Sequence, residues 1–330
     1  MLVRRIVRLI VRFRRIFLNG LRFAAVNRDV RPQAVWSCIE YWKLAIRNAF
    51  VKFGLAHDPN KPVYILGMKL YSFSLDTLLF LMDEIFLGRE YAFETGAEEA
   101  PEIIDCGSNI GISILFFKRL RPRAKIIGFE PDVKTFELLR RNVTENGLSD
   151  VFLHNAAVSS RTGEVTFFSN SKNPGSLVMS LLKERMAGEA QQVPSVMLSS
   201  FVQGPVDLLK MDIEGAEMDV MQELVASGAL ANVNAIVMEY HHHIGPKDCL
   251  SEMLHLLEDQ SFGYDVGATW PAAPGKFQDI VLRIYRKRGL RPESNGGRLI
   301  ERAEPSVSPP TPSRVPVATP IVASKVAPKS

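Results

Sequence analysis

Beyond residue 100 the chain alternates short apolar runs with stretches of helical periodicity, and this rhythm limits the fold more than any other feature. Residues 103–106 (Ile-Ile-Asp-Cys) read as a strand ended by Gly107, and residues 110–120 carry helical spacing closed by Pro122. Residues 125–129 form a second strand, ahead of a helix that Asp132 caps and that ends near Asn146-Gly147. A third strand spans residues 151–158, a fourth 206–211 and a fifth 234–239; helices over 216–226 and 247–260 follow the last two. An alternating pattern over residues 277–285 closes the series. Such a series predicts an α/β fold, a mostly parallel sheet with helices on both faces. Ligands in that architecture sit beyond the carboxyl ends of the strands, so those ends are where chemistry is expected.

The first strand ends in Asp105-Cys106-Gly107-Ser108-Asn109-Ile110-Gly111. Gly107 permits a sharp turn and a close ligand approach, while Gly111 lets the new helix pack tightly on the sheet. The Gly-x-x-x-Gly spacing is neither the nicotinamide fingerprint nor a P-loop, and alone it also fits a plain strand–helix connector. Glu130 stands at the tip of the second strand, 25 residues after Asp105, where a carboxylate can accept hydrogen bonds from ribose hydroxyls. Its other reading is a first-turn helix acid favoured by the helix dipole. In the third strand, Asn155 and the small Ala156 and Ala157 leave room for a flat base, or simply pack under a helix. The fourth strand runs into Asp212, Glu214 and Glu217 around Gly215, more acid than helix capping requires. At the fifth, alternation puts Glu239, His241 and His243 on one side, with His241 as a candidate general base. His242 and His243 read equally well as surface histidines, and no set of partner ligands assigns a metal.

The formal charge of +4 hides an uneven distribution. Residues 1–60 hold 12 Lys+Arg against 3 Asp+Glu, whereas residues 61–290 hold 22 against 30. The acidic body argues against a nucleic-acid substrate. Residues 1–28 contain eight arginines and no acid, with Arg4, Arg8, Arg12 and Arg15 at helical spacing opposite Ile6, Leu9, Ile10, Phe13, Ile16 and Phe17. Such a helix fits peripheral contact with an anionic membrane, and fits equally a helix docked on the protein's own core. The pair Arg14-Arg15 lacks the uncharged apolar segment that an export signal needs. Residues 75–87, broken by Asp76, Asp83 and Glu84, read as an amphipathic core helix. Three scattered cysteines and the lack of a long uncharged apolar run point to a cytoplasmic location, and membrane association remains one of the two readings of the leader. The expected division is a leader at 1–28, a helical and strand extension at 29–100, the sheet domain at 101–290, and a disordered Pro-rich tail at 291–330.

Taken together, Asp105-Cys106-Gly107-Ser108-Asn109-Ile110-Gly111, Phe129-Glu130-Pro131, Asn155-Ala156-Ala157-Val158, Leu209 to Glu217 and Met238-Glu239 resemble the FkbM-type S-adenosylmethionine-dependent methyltransferases. Asp83-Glu84-Ile85-Phe86-Leu87-Gly88-Arg89-Glu90-Tyr91 is similar to that family's lead-in. The resemblance implies a class I methyltransferase sheet, Rossmann-like and seven-stranded, with its last strand antiparallel. It implies S-adenosylmethionine as cofactor and O-methylation of a hydroxyl on a small-molecule, sugar, glycan, glycolipid or secondary-metabolite acceptor. By position, Asp105, Gly107 and Asn109 would line the methionine end, with Gly111 in the same cofactor-binding turn, Glu130 would hold the ribose, and Asn155 with Ala156 would lie near the adenine. Asp212 and Glu214 would face the methyl and acceptor region, and they join His241 as candidate bases. Leu198-Ser199-Ser200 departs from the family's usual Leu-Asp-Asp, and Ser108 stands where Ala is common. The competing readings are a nicotinamide-dependent oxidoreductase, disfavoured by the glycine spacing, and a catalytically silent membrane-associated interaction protein.

Overall fold

The computed structural model describes residues 2–29, 34–93, 100–169, 189–243, 248–268 and 277–287. The chain opens with two helices, α1 (Leu2–Val26) and α2 (Ala34–Lys52), followed by an antiparallel hairpin of β1 (Val63–Ile65) and β2 (Met68–Leu70). Helix α3 (Leu75–Leu81) starts at Ser74, whose hydroxyl accepts from the amides of Asp76 and Thr77. The helix predicted over 75–87 does not continue as α-helix. It widens into a π-helical segment at Met82–Leu87, which turns Glu84 toward the sheet's carboxyl edge.

The body follows in the predicted alternation: β3 (Glu102–Cys106), α4 (Ile112–Leu120), β4 (Lys125–Phe129), α5 (Val133–Glu145) and β5 (Val151–His154). Three strands then leave the main sheet: β6 (Ala157–Ser159), β7 (Gly163–Ser169) and β8 (Glu189–Met197). The chain returns through β9 (Leu208–Met211), α6 (Glu217–Ala226), β10 (Ala235–His242), α7 (Leu250–Asp259), β11 (Phe262–Ala268) and β12 (Gln278–Arg286).

The main sheet has seven strands in the order β11-β12-β10-β9-β3-β4-β5. From β5 to β10 the pairings are parallel, and β12 enters antiparallel to both β10 and β11. This is the class I methyltransferase arrangement, with the last strand inserted in reverse beside the fifth. Alternation along the strands feeds two cores. Ile103, Ile126, Leu208 and Val237 join α4, α5 and the N-terminal extension on one face. Ile104, Leu209, Ile236 and Met238 join α6 and α7 on the other. Strand β9 is buried along its whole length, as a central strand covered on both faces must be.

Three expectations about the strands change. The third strand breaks at Asn155, because residues 157–159 pair with β8 in a separate three-stranded sheet. The fifth strand runs on to His242, since β12 pairs with it along all eight residues. His243 then takes a left-handed φ of 61°, so it does not share a face with Glu239 and His241. Helix α1 is also no detached leader: Phe23 and Asn27 are fully buried, and Asn27 Nδ2 donates to the Phe23 and Phe86 carbonyls. The Pro-rich tail lies outside the described residues. Among the described residues, no helix is long and apolar enough to cross a membrane.

Candidate active site

Strands β3 and β9 are neighbours whose chains depart to opposite sides, which opens a crevice at their carboxyl ends. A cavity of about 780 Å³ lies there, lined by residues of nearly every strand end and by the π-helical segment. Gly107 makes the crevice. Its φ is +82°, and a Cβ there would stand 1.8 Å from the Asp212 carbonyl oxygen. Gly111 is absent from the cavity wall: it caps α4 at φ +89°, and its open side meets Leu139 of α5. Its role is packing rather than contact with a ligand.

Glu130 and Asn109 shape one end of the cavity. The Asn109 amide donates to Glu130 Oε2 at 3.0 Å and the Asp132 amide to Oε1 at 2.9 Å. Each carboxylate oxygen keeps a further lone pair for a hydroxyl donor. Burial pushes the Glu130 carboxyl up to about 8, against the two amide bonds, which hold it down. The small side chains of Ala156 and Ala157, with Val158 and Phe129, also line the cavity. Asn155 itself turns away, its Nδ2 donating to the Glu130 and Pro131 carbonyls at 2.9 and 3.0 Å. It ties two strand ends together and is not on the wall.

Asp105 is likewise behind the wall, fully buried, accepting from Ser113 Oγ at 2.6 Å. Its other oxygen faces Lys210 Nζ at 3.3 Å. Lys210 is buried to 2% exposure and also donates to the Gly107 carbonyl at 2.6 Å, with Asp212 Oδ2 at 3.5 Å. Burial would lower this ammonium, but Asp105 and Asp212 outweigh it and hold it above the ordinary lysine value. A lysine inside the apolar run Leu208-Leu209-Lys210-Met211 was the signal available in the sequence.

The opposite end is acidic. Glu84, Glu90, Asp212, Glu214, Glu239 and Asp279 all line it, against Lys210 and Arg283. Beneath them lies His241, whose side chain is fully buried. Its Nδ1 bonds to Glu217 Oε1 at 2.7 Å, which fixes the ring. Its Nε2 faces Glu214 at 3.1 Å, Asp212 at 3.7 Å, and Glu239 and Asp279 at 3.8 Å each. The three residues expected to act on the acceptor, His241, Asp212 and Glu214, are therefore brought together, with His241 under the wall rather than on it. Burial pulls the imidazole down, but Glu217, Asp212 and Glu239 raise it above the ordinary histidine value. Burial, then Asp212, lifts Glu239 well above the carboxylate range. Asp212, Glu214 and His241, or Glu239, His241 and Asp279, are also close enough to share a cation. His242 and His243 face Asp248 instead, outside this cluster.

Glu214 has φ 59° and Asn109 φ 46°, left-handed conformations that most side chains avoid. Both residues line the cavity, where held strain commonly marks function. Ser199 and Ser200, the departure from the family's paired acids, lie in a 3-10 turn (Leu198–Phe201) away from the wall.

Residues 105–266 match the sequence model of the methyltransferase FkbM domain. The chain carries an FkbM methyltransferase domain. Among its relatives, methyltransferase sdnD of Sordaria araneosa is 29% identical over 261 residues, covering 68% of this chain and 97% of that protein. Hexuronic acid methyltransferase AglP of Haloferax volcanii is 28% identical over 46% of this chain and 61% of its own. The 2-O-methyltransferase NoeI of Sinorhizobium fredii is 28% identical over 37% of this chain and 56% of its own. The FkbM match spans β3 to β11, so Phe80 of α3, Glu84 of the π-helical segment and Glu90 just after it, all on the cavity wall, lie outside it.

Proposed function

We propose that the chain methylates a hydroxyl oxygen of a neutral acceptor, a sugar, glycan or secondary metabolite, with S-adenosylmethionine as donor. The observation that carries this reading is one cavity with two unlike ends: a glycine turn and Glu130 at one, the acid cluster over His241 at the other. The relatives AglP and NoeI, a hexuronic acid methyltransferase and a 2-O-methyltransferase, support an oxygen on a sugar-like acceptor. The acceptor side is crowded with carboxyl groups, of which burial holds Glu84, Glu90 and Glu239 above the ordinary carboxylate value, and this crowd disfavours an acidic acceptor, so a neutral polyol fits better than a uronate.

The residues present fit the cofactor. Gly107, on the cavity wall, makes a left-handed turn that the Asp212 carbonyl closes on one side, Glu130 offers its outward lone pairs to the ribose hydroxyls, and Ala156 with Ala157 leaves room for the base. When bound, S-adenosylmethionine supplies an electrophilic methyl group on a sulfonium. The chain's own residues hold donor and acceptor in line, which accounts for much of the rate of a displacement. The acceptor hydroxyl gives its proton to Asp212 or Glu214, the carboxylates on the wall. His241, oriented by Glu217, sits 3.1 Å behind Glu214 and acts as a positioning residue for it.

Transfer of label from methyl-labelled S-adenosylmethionine to neutral glycans tests this reading. Asp212→Asn and Glu214→Gln are expected to lower turnover at saturating cofactor by about 10²–10⁴-fold while S-adenosylhomocysteine binding stays within a few-fold. Unchanged turnover in both variants would remove the carboxylates from the mechanism. A second reading rests on His241 Nε2, buried without a hydrogen bond and ringed by carboxylates: the cluster holds a divalent cation that activates the hydroxyl. Activity that EDTA abolishes and Mn²⁺ restores selects the cation; activity indifferent to EDTA selects the carboxylate.

A further inference from the structure

Helix α2 has two apolar faces, and the fold uses one. Cys38, Tyr41, Leu44 and Ala45 pack inward with Ser37 and Asn48. On the other side Val35, Trp36, Ile46 and Phe50 are 70, 55, 53 and 57% exposed, and Phe53, just past the helix, is 86% exposed. At about 100° per residue, Val35, Ile39, Ile46, Phe50 and Phe53 fall within an arc of about 60°, and Trp36, Lys43 and Arg47 widen it to about 120°. Helix α1 extends the patch: Phe17, Leu18 and Leu21 are exposed, and Phe17 stacks on Trp42 of α2 at 5.2 Å.

The charge on this side has one sign. Arg14, Arg22, Lys43 and Arg47 are exposed. Glu40 bonds the Leu66 amide at 2.7 Å, and Asp29 pairs with Arg89 at 2.9 Å. We propose that this face, the outward stripe of α2 with residues 14–22 of α1, docks the protein peripherally on a bilayer bearing anionic headgroups. Aromatic and aliphatic side chains enter the headgroup boundary, and the basic groups meet the lipid phosphates. A second copy of the chain is the poorer occupant, because a two-fold contact through this stripe would set Lys43 and Arg47 against their own equivalents. The surface is also joined to the cavity. Asp76 of α3 accepts from Asn48 at 2.9 Å and pairs with Lys52 at 2.5 Å, and the same short helix presents Phe80 to the cavity wall.

The test is co-sedimentation of the full chain with phosphatidylcholine vesicles, with and without phosphatidylglycerol. The wild-type protein is expected to pellet with the anionic vesicles and to be released by high salt. Trp36→Ser/Phe50→Ser/Phe53→Ser is expected to lower that binding at least about tenfold with an unchanged thermal melt, since all three side chains are exposed. Lys43→Glu/Arg47→Glu is expected to abolish the preference for phosphatidylglycerol. Failure of the wild type to pellet, or unaltered pelleting of both variants, would overturn the proposal. So would a dimer in analytical ultracentrifugation that the triple variant dissolves, because the stripe would then belong to a second copy.

Discussion

Lys210 holds the charge balance of the cleft. It is the buried cation between Asp105, which is wholly enclosed, and Asp212, which faces the cavity. A buried pair broken from one side leaves an uncompensated charge, so Lys210→Met is expected to destabilise the fold by about 3–5 kcal/mol. Lys210→Met/Asp105→Asn should recover part of that loss in a denaturant melt; no recovery would mean the lysine acts through its bonds to the Cys106 and Gly107 carbonyls. Glu130 makes a different prediction. Its carboxyl titrates near 4.5 when exposed and is pushed up to about 8 by burial in the fold. Between those values the folded chain keeps a proton that the unfolded chain has lost, so this group favours the fold at low pH and its contribution falls away as pH rises to about 8. Unfolding midpoints across that range should fall less steeply in Glu130→Gln than in the wild type. Glu130→Ala should also weaken S-adenosylhomocysteine binding in calorimetry, and wild-type affinity would remove it from the ribose.

At the scale of elements, the alternation of strand and helix was legible because it is local: apolar runs of four or five residues ended by Gly, Asp or Pro. Asp212 and Glu214 stood out for the same reason, lying in one short segment. Asp279 carried no such signal. It joins His241 only because β12 is reversed beside β10, which sets the two residues directly opposite in register. Asn155 and Asp105 were placed on the correct strand ends, but their side chains turn to backbone and to Lys210, a choice made by packing that spacing does not encode. The π-helical widening after Leu81 was equally silent, although it delivers Glu84 to the cavity. The turn at Gly107 shows how much one element boundary carries. Gly107→Ala forces a Cβ into the Asp212 carbonyl, so β3 and β9 would have to separate at the cleft. Loss of S-adenosylhomocysteine binding together with a lowered melting temperature is the expected result. A stable variant with normal binding would show that the crossover has slack.

Across the whole molecule, the basic N-terminal region and the acidic body are parts of one packed unit. Phe23 of α1, Tyr41 and Leu44 of α2, and Phe86 of the π-helical segment share a core with Phe116 of α4. Phe86 and Phe116 meet edge-on at 5.2 Å, and Asn27 bonds the Phe86 carbonyl at 3.0 Å. The first helix thus braces the segment that brings Glu84 to the acceptor end. Phe23→Ala is expected to cost about 3–5 kcal/mol, as the loss of a fully buried aromatic ring does elsewhere. Removing residues 1–28 should do more, since it strips Phe23 and the Asn27 bonds together and uncovers the inner side of α2. Calorimetry of the shortened chain should show a lower melting temperature than the full chain, and labelled methyl transfer should fall as the cavity wall loosens. An unchanged melt would mean that α2 alone covers the core and that α1 serves only the outward basic surface.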